Sequence, residues 1–288
     1  MTDARLPIAP GTLTDERSDL GGELRTVGMV WERELIRFVR TRTRILSSFI
    51  QPILFLFVLG YGMSTLVGTT EGFTFKKFVF PGIVAMSVVM TAIFSAISIV
   101  WDREFGFLRE MVVAPVSRAS LVVGKTLGGA SIATVQGSIM LVLAPLIGVH
   151  LTALLVLEVV GLELLMAVAM TTFGVFVASR IQRIEAFQVV MQLLLFPMLF
   201  LSGALFPLKG LPAWLAVITR INPLTYAVDP FRRVVFAVQH VPPAAAARFS
   251  TGVTLFGYSL PISAEIGVVC AFAALFLTLA VAGFGKPE

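Results

Sequence analysis

The sequence predicts an all-α integral membrane protein with six transmembrane helices, an N-terminal interfacial helix and re-entrant external helices. Of its 288 residues, 57% are hydrophobic and only 14% are charged, and the mean hydropathy is +0.93. A soluble domain is roughly a quarter charged and a little under half apolar. Long uncharged runs also recur along the chain, each close to the 20 or so residues that a helix needs to cross a bilayer. The surplus apolar surface therefore requires lipid as its solvent.

Six apolar runs predict the spans of a transmembrane domain over residues 45–286. They cover about 45–67, 78–100, 121–149, 152–178, 186–206 and 262–284. The fifth run is interrupted at Ser202, Gly203 and Pro207. The segment 207–261 that follows is predicted to lie outside and to contain short re-entrant helices. Residues 1–23, in which Pro and Gly are scattered among charges, are predicted to form a flexible cytoplasmic tail.

Basic residues predict the orientation. Most of the 22 Lys and Arg precede the first run or lie between runs two and three and between runs four and five. Short loops rich in these residues stay in the cytoplasm, so both termini are predicted to be cytoplasmic. This placement beside apolar runs also argues against a nucleic-acid partner. The first apolar stretch begins near Ile45, so the first span is expected to act as its own insertion signal.

An amphipathic helix is predicted over residues 24–44, before the first span. One stripe is apolar and the opposite stripe is basic, each at helical spacing. The two stripes consist of Leu24, Val27, Trp31, Leu35 and Phe38, and of Arg33, Arg37, Arg40 and Arg44. We expect the helix to lie in the inner membrane surface, with its arginines toward lipid phosphates or a partner. The alternative is a soluble helix packed on its own domain.

The external segment carries helix start and stop signals. Pro212 is suited to the start of a short helix containing Trp214, and Asn222-Pro223 gives a second start signal. Asp229-Pro230 is predicted to break that second helix. Arg232 and Arg233 are expected to contact lipid headgroups or an anionic substrate.

Two carboxylates inside the fourth span invite a functional hypothesis, because ionisable groups are costly in a membrane. Glu163 is expected about 16 Å along the helix, near the middle of the bilayer. Glu158 points about 140° away from it, so the two do not form an acid–base pair. We predict that Glu163 faces the transport pathway or a polar partner such as Gln136, and Gln188 and Gln192 are further polar candidates. The alternative is a protonated structural carboxyl group between helices.

Several chemistries find no support in the sequence. Cys270 is the only cysteine, and His150 and His240 lie in separate loops, so neither a metal site nor a catalytic site is expected. The nearest match to a phosphate-binding P-loop is Gly124-Lys125-Thr126, in which Ala119 replaces the leading glycine. We therefore interpret Lys125 as an interfacial anchor. Any ATP that drives this protein is expected to be hydrolysed by another polypeptide.

The loop after the second run, residues 101–118, is short, predicted to be cytoplasmic and dense in charges of both signs. Phe105, Leu108 and Met111 repeat at helical spacing, and Ala114-Pro115 ends the pattern. A short helix with an apolar edge beside charges suits a groove on another protein. The alternative is a helix that rests at the lipid interface.

The motifs DREFGFLREMVVAPVSRASLVVGK, LFLSGALFPLKGLPAWL and INPLTY resemble those of the membrane subunit of type-2 ABC exporters. Within that family the chain is similar to the daunorubicin-resistance and nodulation-factor permeases, from about Leu24 to the last span. The resemblance implies a multi-pass protein of the bacterial inner membrane whose charged loop couples to an ATPase. It assigns this coupling to Asp102, Arg103, Glu104, Phe105, Phe107, Leu108, Arg109, Glu110 and Met111. It also implies an outer gate formed by Gly203, Pro207, Pro212, Asn222, Pro223 and Tyr226.

The resemblance further implies the assembly and the function. The chain would be one permease of a pair, most simply a homodimer, with two copies of a separate ATP-binding subunit. It would hold no cofactor and no metal itself, because ATP and Mg would be bound by that partner. Its cargo would be amphipathic, drug-like, or linked to a lipid or glycan. The alternative from another class is an ion-coupled secondary transporter that uses Glu158 or Glu163, although no internal repeat of spans is evident.

Overall fold

The computed structural model describes residues 20–67, 73–106, 117–208, 211–239, 241–242, 254–255 and 258–284, and most of them are helical. The helices are α1 (Leu20–Arg40), α2 (Arg42–Val67), α3 (Phe75–Ser95), α4 (Ile97–Glu104), α5 (Arg118–Leu141), α6 (Ala153–Ala178), α7 (Ile184–Phe200), α8 (Ala213–Ile221), α9 (Pro223–Val238) and α10 (Ile262–Gly283). A 3₁₀ helix covers Ala144–Ile147, and two-residue strands β1 (Thr254–Leu255) and β2 (Tyr258–Ser259) pair antiparallel. The predicted all-helical class is confirmed.

Four stretches are long and apolar enough to cross a membrane. They are Ile45–Thr65, Phe75–Glu104, Ala153–Ala178 and Ile262–Gly283. Helix α7 is apolar but has only 17 residues, and α5 does not qualify because Gly, Ser, Thr and Gln interrupt its apolar residues. The structure thus supports four of the six predicted spans, and the other two stay a prediction.

Helix α5 lies at the centre of the bundle, packed against α1, α3 and α6. Its polar side chains Thr126, Thr134 and Gln136 are buried against these neighbours. A Cβ at Gly124 would lie 2.7 Å from the Cβ of Val30 on α1. Helix α1 therefore approaches α5 more closely than a larger residue would permit.

The second predicted span consists of two helices, with a bend at Ala96. Near the bend, the Ser95 hydroxyl donates a hydrogen bond to the carbonyl oxygen of Ala92 at 2.6 Å. Such local bonds compete with the helix ladder and often bend helices. Helix α4 continues beyond the bend to Glu104, and the charged loop follows.

The outer end of α7 is broken, as predicted. The helix ends at Phe200, and Gly203 adopts a positive φ of 79°, which favours glycine. A Cβ at Gly82 of α3 would overlap the carbonyl oxygen of Ala204, so α3 packs directly against this turn. Side chains from α9 and its N-terminal residue satisfy the freed carbonyl groups. Asn222 Nδ2 donates to Met198 at 2.7 Å, and Arg232 Nη2 donates to Ala204 at 2.8 Å.

The helix signals of the external segment are confirmed at two points and wrong at one. Helix α8 begins directly after Pro212, and the Asn222 side chain caps α9 by accepting a hydrogen bond from the Leu224 amide at 3.1 Å. Asp229-Pro230, however, does not break α9, which continues to Val238. Residues 224–232 are all buried, and this packing holds the helix although proline removes one backbone hydrogen bond.

Candidate functional site

A buried charge cluster joins three helices next to the charged loop. Lys125 on α5 lies with Nζ 2.6 Å from Asp102 Oδ2, 3.1 Å from Glu34 Oε1 and 3.2 Å from Ser98 Oγ. The exposed fractions of the Lys125, Glu34 and Asp102 side chains are only 4%, 9% and 10%. Lys125 thus directs its three N–H donors to acceptors on α1 and α4. The prediction that it anchors the chain at the lipid interface is wrong.

Arginines of α1 form the rim of this cluster. Arg33 Nη2 lies 3.3 Å from Asp102 Oδ2, and Arg37 Nη1 lies 3.9 Å from Asp102 Oδ1. The Arg37 guanidinium also lies 5.6 Å from the ring centroid of Trp101 on α4. Both arginines therefore contact the carboxyl-terminal part of α4. Only Val30 and Glu34 of α1 are buried, while Leu24 and Trp31 of the predicted apolar stripe are exposed.

The end of α4 is also attached on its other side, to the connection between α6 and α7. Arg103 Nη1 donates to the carbonyl oxygens of Ser179 at 3.1 Å and Ile181 at 3.3 Å. The Glu104 carboxylate accepts a hydrogen bond from the Ile184 amide at 3.0 Å, at the first residue of α7. Asp102, Arg103 and Glu104 thus all make contacts inside the chain.

The remaining residues predicted to couple to an ATPase are placed only in part. Phe105 follows α4 and is 61% exposed. Residues Phe107, Leu108, Arg109, Glu110 and Met111 lie outside the described residues. Contact between this loop and a partner stays a prediction.

A cavity of about 670 Å³ lies beside the charge cluster, between α1, α2, α3, α4, α5 and α7. Uncharged polar side chains on its wall include Ser48, Gln51, Ser87, Thr91, Gln188 and Gln192. Apolar side chains include Met86, Met90, Phe94, Ile132, Leu195 and Phe196. The charged residues of the wall, Glu34 and Arg37, belong to the cluster at one end. The size is typical of a site for a small organic ligand, and the mixed wall suits an amphipathic one.

The predicted intramembrane polar residues occupy three different environments. Gln136 lines the cavity and is anchored, since it accepts a hydrogen bond from Thr91 at 2.7 Å and donates to the Ser48 carbonyl oxygen at 3.1 Å. Glu163 is fully buried, and its Oε2 accepts a hydrogen bond from Ser138 at 3.1 Å. Glu158 is exposed on α6. The structure therefore does not bring the two glutamates together.

A second charge cluster lies where α9 meets α10, and the sequence analysis missed it. Arg233 Nη2 lies 2.5 Å from Asp229 Oδ2 and 3.1 Å from Glu265 Oε1. Arg232 is buried, with its guanidinium 4.3 Å from the ring centroid of Phe78. Arg232 is therefore not a lipid-headgroup contact, and Arg233 binds carboxylates. The spacing of Asp229 and Arg233, four residues apart on a helix, is the sequence signal for their pair.

The predicted outer-gate residues fall into an inner and an outer set. Gly203 and Asn222 are buried, and the Tyr226 hydroxyl donates to the Arg220 carbonyl oxygen at 2.6 Å. Burial raises the pKa of Tyr226, a direction that nearby Glu265 reinforces and Arg220 opposes. Pro207 and Pro223 are partly exposed, and Pro212 is exposed at the start of α8. Whether this set forms a gate is not tested by these contacts.

Apolar helices around a cavity with a mixed polar and apolar wall define an integral membrane protein suited to transport. Comparison with known proteins makes this class specific. Residues 25–236 match the ABC-2 type transporter family. The chain belongs to the ABC-2 type transporter family, whose members are the membrane components of ABC transporters.

Individual relatives carry the same description. The chain is 30% identical to putative transport permease ycf38 from Cyanophora paradoxa over 211 residues, which cover 70% of this chain and 71% of the relative. It is 29% identical to nodulation protein J from Rhizobium leguminosarum bv. viciae over 211 residues, 70% of this chain and 79% of the relative. It is 26% identical to inner membrane transport permease YadH from Escherichia coli (strain K12) over 219 residues, 74% and 84% of the two chains.

Proposed function

We propose that this chain is the permease subunit of an ATP-driven exporter and that the cavity beside the charge cluster is part of its translocation pathway. The observation that carries the proposal is the position of this cavity. Its wall includes Ser98 and Trp101 of α4, the helix that leads directly into the charged loop. A force applied to that loop would therefore act on the wall of the cavity.

The proposal includes six spans and cytoplasmic termini. Helix α5 is 24 residues long, about 36 Å at 1.5 Å per residue, which exceeds the hydrocarbon thickness. Its polar residues are directed into the bundle, so its composition underestimates how well it tolerates lipid. Helix α7 and the turn after it extend toward the outer surface. These two helices supply the spans that length and composition alone do not assign.

The proposed assembly contains a second permease copy and two copies of a separate ATP-binding subunit that holds ATP and Mg. Members of this family work with ATP-binding subunits, and the nearest match to a P-loop in this sequence lacks its leading glycine. Helix α2, which lines one side of the cavity, is only 17% buried over its apolar stretch. This face is available for a second copy, most simply of the same chain.

The proposed cargo is amphipathic, and the part of it that enters the cavity is uncharged. Glu34 and Arg37, the charged residues of the described wall, are already ion-paired with Lys125 and Asp102. A charged group in the cavity would have to give up hydration without gaining a free counter-charge, which is costly. Amides and hydroxyls of the wall can bind neutral polar groups, while Met and Phe side chains contact apolar ones.

A pull-down followed by reconstitution tests the function. The tagged chain is purified from its native host in mild detergent, and co-purifying proteins are identified by mass spectrometry. We expect a P-loop ATPase subunit, whose hydrolysis in proteoliposomes is blocked by vanadate. The matched control is the same preparation from a host that lacks the tagged chain. If no P-loop ATPase co-purifies and vanadate leaves transport unchanged, the proposal is wrong.

The ion-coupled alternative rests on Glu163. Its Oε1 atom is buried and has no hydrogen-bond partner among the described residues. A carboxylate in that position is a candidate proton carrier. Transport driven by an imposed pH gradient without ATP would favour this alternative.

A further inference from the structure

The two stems of the charged loop meet at Lys125. Helix α4 ends at Glu104 before the loop, and α5 begins at Arg118 after it. The 2.6 Å contact between Lys125 on α5 and Asp102 on α4 therefore closes the base of the loop. Through Glu34, the same ammonium group also holds α1. A single side chain thus connects both stems to the interfacial helix.

This connection reaches opposite walls of the cavity. Helix α1 ends at Arg40 and α2 begins two residues later, carrying Ser48 and Gln51 on the wall. On the other side, Glu104 binds the first residue of α7, which carries Gln188 and Gln192. The end of α4 is therefore attached to both helices by short polar contacts.

Stability alone is a weak reason for such a cluster. Removing two carboxylates and an ammonium group from water is costly, and well-packed apolar residues often serve a core equally well. What a buried ion pair supplies is a specific geometric relation between the elements that carry it. Here those elements are both loop stems and α1.

We propose that Lys125, Asp102 and Glu34 form a clamp that makes α1 follow the charged loop when the loop moves. In this inference, which rests on the proposed function, Asp102 and Glu34 are positioning residues within the permease. Arg103 and Glu104 attach the same stem to α7. Contact with the ATPase is then left to residues beyond Glu104.

The test measures whether α1 moves with the loop. Spin labels are attached to Glu32→Cys on α1 and Val189→Cys on α7, both exposed, in a Cys270→Ala background. The distance between the labels is measured in nanodiscs for the complex with its ATPase, nucleotide-free and trapped with ATP and vanadate. Trapped nucleotide is counted, so that equally loaded complexes are compared. With the clamp intact we expect the distance to shift on trapping.

Two variants cut the clamp at different points and keep Lys125 paired. Glu34→Gln releases α1 but leaves the contact with Asp102, and Asp102→Asn releases α4 but leaves the contact with Glu34. We expect the shift to be lost in both. Glu23→Gln, in the first turn of the same helix, is the matched control and retains the shift.

Three results would overturn the inference. The first is a shift that persists in both variants, and the second is a complex without a shift when the clamp is intact. The third is a failure of both variants to trap nucleotide, which would mean a merely structural role. Failure of any P-loop ATPase to co-purify with the unaltered chain would instead remove the proposed function itself, and the inference with it.

Discussion

Glu163 is a buried carboxyl group whose surroundings are filled by protein. Ser138 donates to Oε2, and a Cβ at Gly137 would lie 2.8 Å from the Glu163 carboxyl carbon. Replacing one carboxyl oxygen by an amide nitrogen keeps the shape and the acceptor for Ser138. This environment is that of a structural hydrogen-bonded group in a helix interface.

We therefore expect Glu163→Gln to leave ATP-driven transport intact and to change the free energy of unfolding by no more than about 1 kcal/mol. The measurement is cargo export by vesicles, driven either by ATP or by an imposed pH gradient. Glu158→Gln, on the exposed face of the same helix, is the control. Loss of gradient-driven transport in Glu163→Gln alone would support the ion-coupled alternative and contradict the structural role.

The elements of the fold were predictable where local chemistry decides them. Asn222-Pro223 starts a helix because the side chain caps it and proline suits its first turn. The continuation of α9 through Pro230 was not predictable, because it depends on burial by helices distant in sequence. The same limit applies to the charge cluster. Lys125 and Glu34 are 91 residues apart, and the composition of a charged loop does not reveal which side chains face inward.

The contact between α3 and the turn after α7 is a test at the scale of elements. Gly82→Ala would place a methyl group on the backbone at Ala204, and a backbone cannot yield as a flexible side chain can. We expect a loss of about 1–3 kcal/mol of stability, measured as a lowered midpoint of thermal unfolding in detergent. Gly62→Ala in α2 is the control, since nothing lies within 4 Å of its added Cβ. Equal midpoints for the two variants would mean that α3 and this turn do not pack as described.

The number of spans is a property of the whole molecule, and single cysteines in a Cys270→Ala background can count them. With six spans, His150→Cys faces the outside and Arg183→Cys faces the cytoplasm. If only the four candidate spans cross the membrane, the two positions exchange sides. We expect a membrane-impermeant maleimide to label position 150 in right-side-out vesicles and position 183 in inverted ones. The reverse pattern would exclude α5 and α7 as spans.

The cavity joins α2 and α7 into one candidate pathway, although the two helices are far apart in sequence. Gln188 and Gln192 lie one helical turn apart and both line its wall, whereas Val189 is 66% exposed. Their amides can donate and accept hydrogen bonds, which suits a neutral polar group of the cargo. Each such bond contributes about 1 kcal/mol, so losing both should weaken binding by on the order of tenfold or more.

We therefore expect the double variant Gln188→Leu, Gln192→Leu to need on the order of tenfold more octyl glucoside to stimulate the ATPase of the complex in nanodiscs. Octyl sulfate, which has the same chain but a charged head, should not stimulate it, because the described wall offers no free counter-charge. Val189→Leu should behave as the unaltered protein. If the double variant responds like Val189→Leu, the α7 wall does not bind the cargo, and the pathway must lie elsewhere in the assembled permease.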